Sequence, residues 1–224
     1  MKTLKALNKA NGIRRRDIQW ARKPLAPGVL TGKTMAVIGG TNGIGRALAR
    51  TFAAKGAEVV VVGRTFRDDD IERLRFISAD LSQMKQARRV AEELPVETLD
   101  TLILTTGTGA GKQREVSPEG IELDLAVSYL SRFVIVREVA ERVGVKRLEQ
   151  IAKPRIFVMG GPGVGIEGDP SDLNSERTYE FWHSHGNTIA GNEALVIDGA
   201  SRVVSQLEFR LRPTSAVTSF VYPA

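Results

Sequence analysis

The residues in this chain best suited to chemistry are glycines. Gly39-Gly40-Thr41-Asn42-Gly43-Ile44-Gly45 lies between an apolar run ending at Ile38 and a helix-forming stretch that begins near Arg46. A turn of this composition lets a phosphate approach the backbone, because no Cβ stands in the way. The helix that follows offers unpaired N–H groups and the positive end of its dipole to an anion. With a valine-rich run at the expected distance downstream, the pattern reads as a dinucleotide-binding turn; the competing reading is a glycine turn of purely structural use. The end of that valine run discriminates between cofactors. A carboxylate there holds the ribose 2′-hydroxyl of NAD, whereas an arginine suits the 2′-phosphate of NADP. The chain has Gly63-Arg64-Thr65 and no acid before Asp68. A guanidinium meets phosphate with a fixed fork of donors, so NADP is the expected cofactor, against the alternative that Arg64 is a solvated surface residue. Gly32-Lys33-Thr34 imitates the end of another phosphate loop, but its upstream Gly28 is one residue too close and the lysine precedes a strand instead of opening a helix.

Such a turn needs a sheet edge beneath it, and the remaining pattern supplies one. Strands are expected at Met35 to Ile38, Glu58 to Val62, Arg75 to Ser78, Leu99 to Leu104, Arg155 to Met159 and Val217 to Val221. The valine run is the signature of a strand covered on both faces. Helices are expected from Arg46 to Lys55 with Gly56 as the stop, from Gln83 to Leu94, and from Thr188 to about Arg210. Ser117-Pro118-Glu119 reads as the start of a further long helix with Leu123, Val127, Leu130 and Val134 on one face. Strand alternating with helix predicts an α/β protein with a doubly wound parallel sheet, a Rossmann fold in three layers, α/β/α.

Composition narrows the function classes. The 224 residues contain no cysteine, which excludes disulfides, thiolate metal sites and cysteine nucleophiles. No apolar run approaches the roughly 20 residues that span a bilayer. The formal charge of +6 suggests an anionic macromolecular partner, but its distribution argues otherwise. Residues 1–33 carry nine basic side chains against Asp17 alone, a net +8, so the other 191 residues net −2. Residues 1–28 therefore read as a basic arm and linker, ending in Pro24-Leu25-Ala26-Pro27-Gly28, and residues 29–224 as the NADP-binding domain. The arm is read as a solvated extension, with Ile13, Ile18 and Trp20 able to anchor it. Nucleic-acid contact and a mitochondrial presequence stay open as alternatives, with a cytoplasmic location expected otherwise.

In this order the motifs resemble the short-chain dehydrogenase/reductase family over about residues 32–223. The glycines are similar to its G-x-x-x-G-x-G on Gly39, Gly43 and Gly45. Ala79-Asp80-Leu81 resembles the segment that holds adenine, which implies a cofactor role for Asp80 and Leu81. Asp100 to Gly107 is similar to the segment lining the cofactor, which implies the same for Thr106 and Gly107. Val217 to Pro223 resembles the closing strand. The family's catalytic Asn, Ser, Tyr and Lys fall on Ser128, Gly161, Thr188 and Asn192 here, so no catalytic set is assigned. Tyr179 and His183, four apart, could form a substitute pair on one helical face. Glu180, His183 and His185 make only a weak metal pattern, and no metal is expected. The stretch from Gly163 to Gly186 reads as a loop lid over the ligand. The resemblance implies an NADP(H)-dependent oxidoreductase acting on a carbonyl or alcohol small molecule. The alternative is a non-catalytic NADP(H)-binding sensor or partner-binding module. A homodimer is expected through the long helices, and the chain is expected to lack the family's C-terminal substrate segment.

Overall fold

Valine at positions 59 to 62 has no polar face to turn to solvent, and the fold buries it on both sides. In the computed structural model the described residues are 25–109, 111–147, 153–161, 167–202 and 208–213. The arm at residues 1–24 and the expected strand Val217 to Val221 lie outside them. Six strands form one sheet: β1 (Thr34–Ile38), β2 (Glu58–Gly63), β3 (Leu74–Ser78), β4 (Thr101–Leu104), β5 (Arg155–Gly160) and β6 (Glu208–Pro213). They run in the order β3-β2-β1-β4-β5-β6, and every neighbouring pair is parallel. Because β2 and β4 flank β1, the chain leaves the sheet in opposite directions on either side of it. In such sheets a crevice opens beyond the carboxyl ends of the central strands.

Alternate strand residues serve two cores. Ala36, Ile38, Val60 and Val62 face helix α2 (Met84–Glu93), helix α4 (Ser131–Val139) and Leu195 and Val196 of helix α5 (Phe181–Arg202). Met35, Val37, Val59 and Val61 face helix α1 (Gly43–Ala54), whose buried side chains Ala49 and Ala53 are small and let it pack close, with Phe52 partly buried beside them. Phe66 and Ile71, from the loop between β2 and β3, fill that same side. A short helix α3 (Leu123–Leu125) and a π-helical turn (Ala126–Leu130) lead into α4. No helix among the described residues is long and apolar enough to cross a membrane.

Two expectations are corrected here. Ser117 opens a turn, not a helix: its Oγ accepts from the amides of Glu119 and Ile121, and Gly120 adopts φ +75. The helical run starts at Leu123, capped by the Glu122 carboxylate, which accepts from Leu125 N at 2.7 Å. Ser-Pro-Glu suits a tight turn and a helix start equally well, and a left-handed glycine resolves it for the turn. Glu119 instead caps α2 from outside, accepting from Met84 N at 2.7 Å. The most buried side of this run is also different: Asp124, Leu125, Ser128, Arg132, Ile135 and Val139 are buried, whereas Leu123, Val127, Leu130 and Val134 are half-buried. The second correction concerns α5, which begins at Phe181, seven residues before the expected start, and ends at Arg202. Glu180 starts it, accepting from His183 N at 3.1 Å. Aromatic residues, histidines and Gly186 are poor helix formers, so packing overrides local preference there. Residues 208 to 210, expected at the end of that helix, open β6.

The loop after β2 is fastened by one buried carboxylate. Asp68, 2% exposed, accepts from Arg46 Nε and Nη2 at 2.7 and 2.6 Å and also from Arg50, both on α1. The Arg46 hydrogen bond, joined by Arg50 and outweighing burial, pulls its pKa from 3.8 down to about 2. A depressed carboxylate pKa stabilises the fold above the unfolded value and loses that contribution as pH falls through the folded one. Asp68→Asn is expected to cost about 1–2 kcal/mol near neutral pH, because both arginines are partly solvated. The deficit, read from urea midpoints, should shrink as pH drops from about 4 to about 2.

Candidate functional site

Gly39, Thr41, Asn42, Gly43, Ile44, Gly45, Arg64, Asp80, Leu81, Thr106 and Gly107 line one open cleft of about 640 Å³ beyond the ends of β1, β2 and β4. Thr65 is exposed and is not among the lining residues. The glycines divide into two kinds. At Gly39 (φ +84) a Cβ would lie 2.6 Å from Thr106 N, and at Gly45 one would collide with Gly39 O and lie 2.5 Å from Thr105 Oγ1. These two allow β1, the end of β4 and α1 to touch. Gly43 (φ +51) has nothing within 4 Å of its Cβ position, so its backbone faces open space. Thr105 ties the arrangement together, donating from both N and Oγ1 to Ile38 O at 2.8 and 2.9 Å. Asn42 N-caps α1 without using its side chain, and the first turn carries no acid, so amide donors and dipole are free of a competing anion.

Arg64 stands exposed at the mouth of the cleft and makes no ion pair among the described residues. Its charge reaches Asp80. Burial opposes the Asp80 charge, but Ser82 N and Oγ and the Gln83 amide, with Arg64, hold its pKa below the usual range. Asp68, the first acid after Arg64, points away into the α1 arginines.

The opposite wall holds a residue that the sequence did not single out. Arg132 of α4 is 4% exposed and lines the cleft with Met159 and Thr106. Its guanidinium donates to Thr106 O, to Met159 O and, at 2.9 Å, to Asn192 Oδ1. Burial brings its pKa down to about 10, opposed by the Asp124 charge, so it stays protonated near neutrality. Asn192 in turn donates to Ser128 O and Thr188 O at 2.9 and 2.8 Å. Thr188 is buried, and its Oγ1 has no partner among the described residues.

Asp124, Ser128 and Arg132 recur every four residues, which places three polar side chains along the buried face of one helical run. That spacing is the sequence signal that could have found them. The π-helical turn sits in their midst, at Ser128, the kind of irregularity that often marks functional helices. Asp124, fully buried, accepts from Ser128 Oγ at 2.6 Å and contacts His185 Nδ1 at 2.8 Å. Tyr179 and His183 do not form the expected pair. Tyr179 lies in the loop and donates to Gly111 O at 2.9 Å, with burial and then Glu122 and Asp124 pushing its phenol upward. His183 lies on α5 with Nε2 3.9 Å from Asp169. Of the expected lid, residues 167–180 are loop apart from single turns, 181–186 are helix, and 163–166 lie outside the described residues.

The family model described as short chain dehydrogenase matches residues 33–148. An uncharacterized oxidoreductase of Saccharomyces cerevisiae is 44% identical over 88% of this chain and 65% of its own length. The human dehydrogenase/reductase SDR family member 12 is 27% identical over 66% of this chain and 49% of its own. The chain thus spans from about half to just under two thirds of these relatives' lengths. Among solved structures, the RhlG/NADP active-site complex of Pseudomonas aeruginosa superposes with a TM-score of 0.64 at 22% identity, over 87% of this chain and 77% of that one.

The two kinds of glycine predict two phenotypes. Gly45→Ala should lose about 2–3 kcal/mol of stability through overpacking against Gly39 and Thr105. Gly43→Ala should cost only about 1 kcal/mol of backbone strain. Urea denaturation of both variants checks the ranking.

Proposed function

The chain belongs to the short-chain dehydrogenase/reductase family, and on that premise we propose that it is an oxidoreductase that takes NADP(H) in the cleft beyond β1, β2 and β4. The observation that carries the proposal is the environment of Arg64. It is the first side chain past β2, it stands exposed without an ion-pair partner among the described residues, and Asp68 is turned away to Arg46 and Arg50. No carboxylate at the end of β2 is left to hold a ribose 2′-hydroxyl, and a guanidinium outside any ion pair suits a 2′-phosphate. The open space at Gly43 and the uncapped amides of α1 suit a pyrophosphate. Asp80 and Leu81 would hold the adenine, and Thr106 and Gly107 the nicotinamide half. When bound, a reduced nicotinamide supplies a hydride to the carbonyl carbon of the substrate.

A second reading, an NADP(H)-binding module without hydride transfer, is favoured by one specific observation. Gly161, Thr188 and Asn192 stand where the family has its serine, tyrosine and lysine, and Asn192 spends its amide on Arg132, Ser128 and Thr188. Titration with NADPH and NADH, followed by nicotinamide fluorescence, addresses the cofactor assignment. NADPH is expected to bind tighter, and Arg64→Glu should weaken it by about 10–100-fold while leaving NADH nearly unchanged. Equal affinity for the two would remove the Arg64 assignment. A panel of carbonyl compounds with saturating NADPH then separates the oxidoreductase, which consumes the cofactor, from the module, which does not.

A further inference from the structure

The carbonyl that receives a hydride also needs a proton on its oxygen, and Thr188, Gly161 and Asn192 have no group acidic enough to give one. One turn before Thr188 on α5 stands His185, the ring nearest those positions on its own helix. Its Nδ1 is held by Asp124 Oδ2 at 2.8 Å, and its Nε2 has no hydrogen-bond partner among the described residues. Asp124 is fully buried, so the carboxylate has little water to compete for it and orients the ring firmly. Its other oxygen accepts from Ser128 Oγ, and Ser128 Oγ accepts from Thr108 N at 3.0 Å. Thr108 lines the cleft, as do Leu123 and Val127 on either side of Asp124. Through Ser128 the dyad is tied to Thr108 on the cleft wall, although neither Asp124 nor His185 is itself among the lining residues. The ring itself is partly exposed and stacks on Phe181 at 5.9 Å between centroids.

We propose, resting on the oxidoreductase reading above, that His185 donates the proton that completes carbonyl reduction and that Asp124 positions it. The Nε2–H bond of the imidazolium breaks as an O–H bond forms on the substrate oxygen. The ring is left neutral and regains its proton from water. Electrostatics around the ring agree with this role. The Asp124 hydrogen bond raises the imidazole pKa against partial burial, and the buried charges of Asp124 and Glu122 add to it. Two other ionisable groups feel the same carboxylates: Tyr179, spent on Gly111 O, and Arg132, whose charge Asp124 supports from beyond ion-pair distance. A neighbouring buried carboxylate is a familiar means of keeping a histidine protonated near neutral pH.

The test begins with the cofactor-free protein. In an NMR pH titration the His185 ring should titrate above its ordinary 6.5, and Asp124→Asn should bring it down. With NADPH and a carbonyl substrate, kcat should fall as pH rises through that same value. His185→Gln, at a partly exposed position that tolerates the change, should keep NADPH affinity and lower kcat by about 100-fold or more. Added imidazole should restore part of the rate to His185→Ala. A ring that titrates at or below 6.5, or a His185→Gln variant with wild-type kcat and pH profile, overturns the assignment. Protein that binds no NADPH overturns the cofactor reading and this assignment with it. NADPH bound without turnover of any carbonyl overturns the oxidoreductase reading and the proton donor with it, leaving the cofactor assignment standing, whereas turnover that survives His185→Gln overturns the proton donor alone.

Discussion

A guanidinium without a carboxylate beside it joins the parts of this molecule that face the cleft. Arg132 rises from α4 and donates to Thr106 O just beyond β4, to Met159 O near the end of β5 and to Asn192 on α5. A buried cation whose donors went unsatisfied would be costly, and these backbone and amide oxygens take them up. No carboxylate lies within ion-pair distance of Arg132 among the described residues, and only Asp124 supports its charge from further away. Arg132 thus brings a positive charge to the cleft lining, with the buried Asp124 carboxylate acting on it from further away.

Glycine sets the other wall by absence of atoms. Gly39 and Gly45 bring β1, β4 and α1 into contact, and Thr105 locks that contact by donating twice to Ile38 O. Gly43, left-handed and unobstructed, turns the first amides of α1 toward open space. The cleft is thus a product of close packing on one side and of polar fastening on the other. Asp68 keeps the loop after β2 down on α1, which leaves Arg64 standing at the mouth.

Much of this was legible along the chain. The apolar run to Ile38, the glycine turn, the valines of β2 and the arginine after them are consecutive, and each element is encoded by its own neighbours. The strand-helix order and the parallel sheet followed for the same reason, and eleven of the twelve residues expected around a cofactor meet in one cleft. Where local signals are ambiguous the reading failed. Ser117-Pro118-Glu119 serves a turn as well as a helix, and the histidines, aromatics and glycine at the start of α5 conceal a helix that packing imposes.

What the sequence by itself determined is the set of elements and the glycine turn after β1, because backbone conformation and burial follow from residues a few positions apart. What only the tertiary structure decided is which distant polar groups became partners. Asp124 and His185 are 61 positions apart, and Arg132 and Asn192 are 60. Each pair exists because α5 lies beside the helical run from Leu123 to Val139. Buried charge is tolerated only where that packing delivers a partner, and no local pattern records who the partner will be.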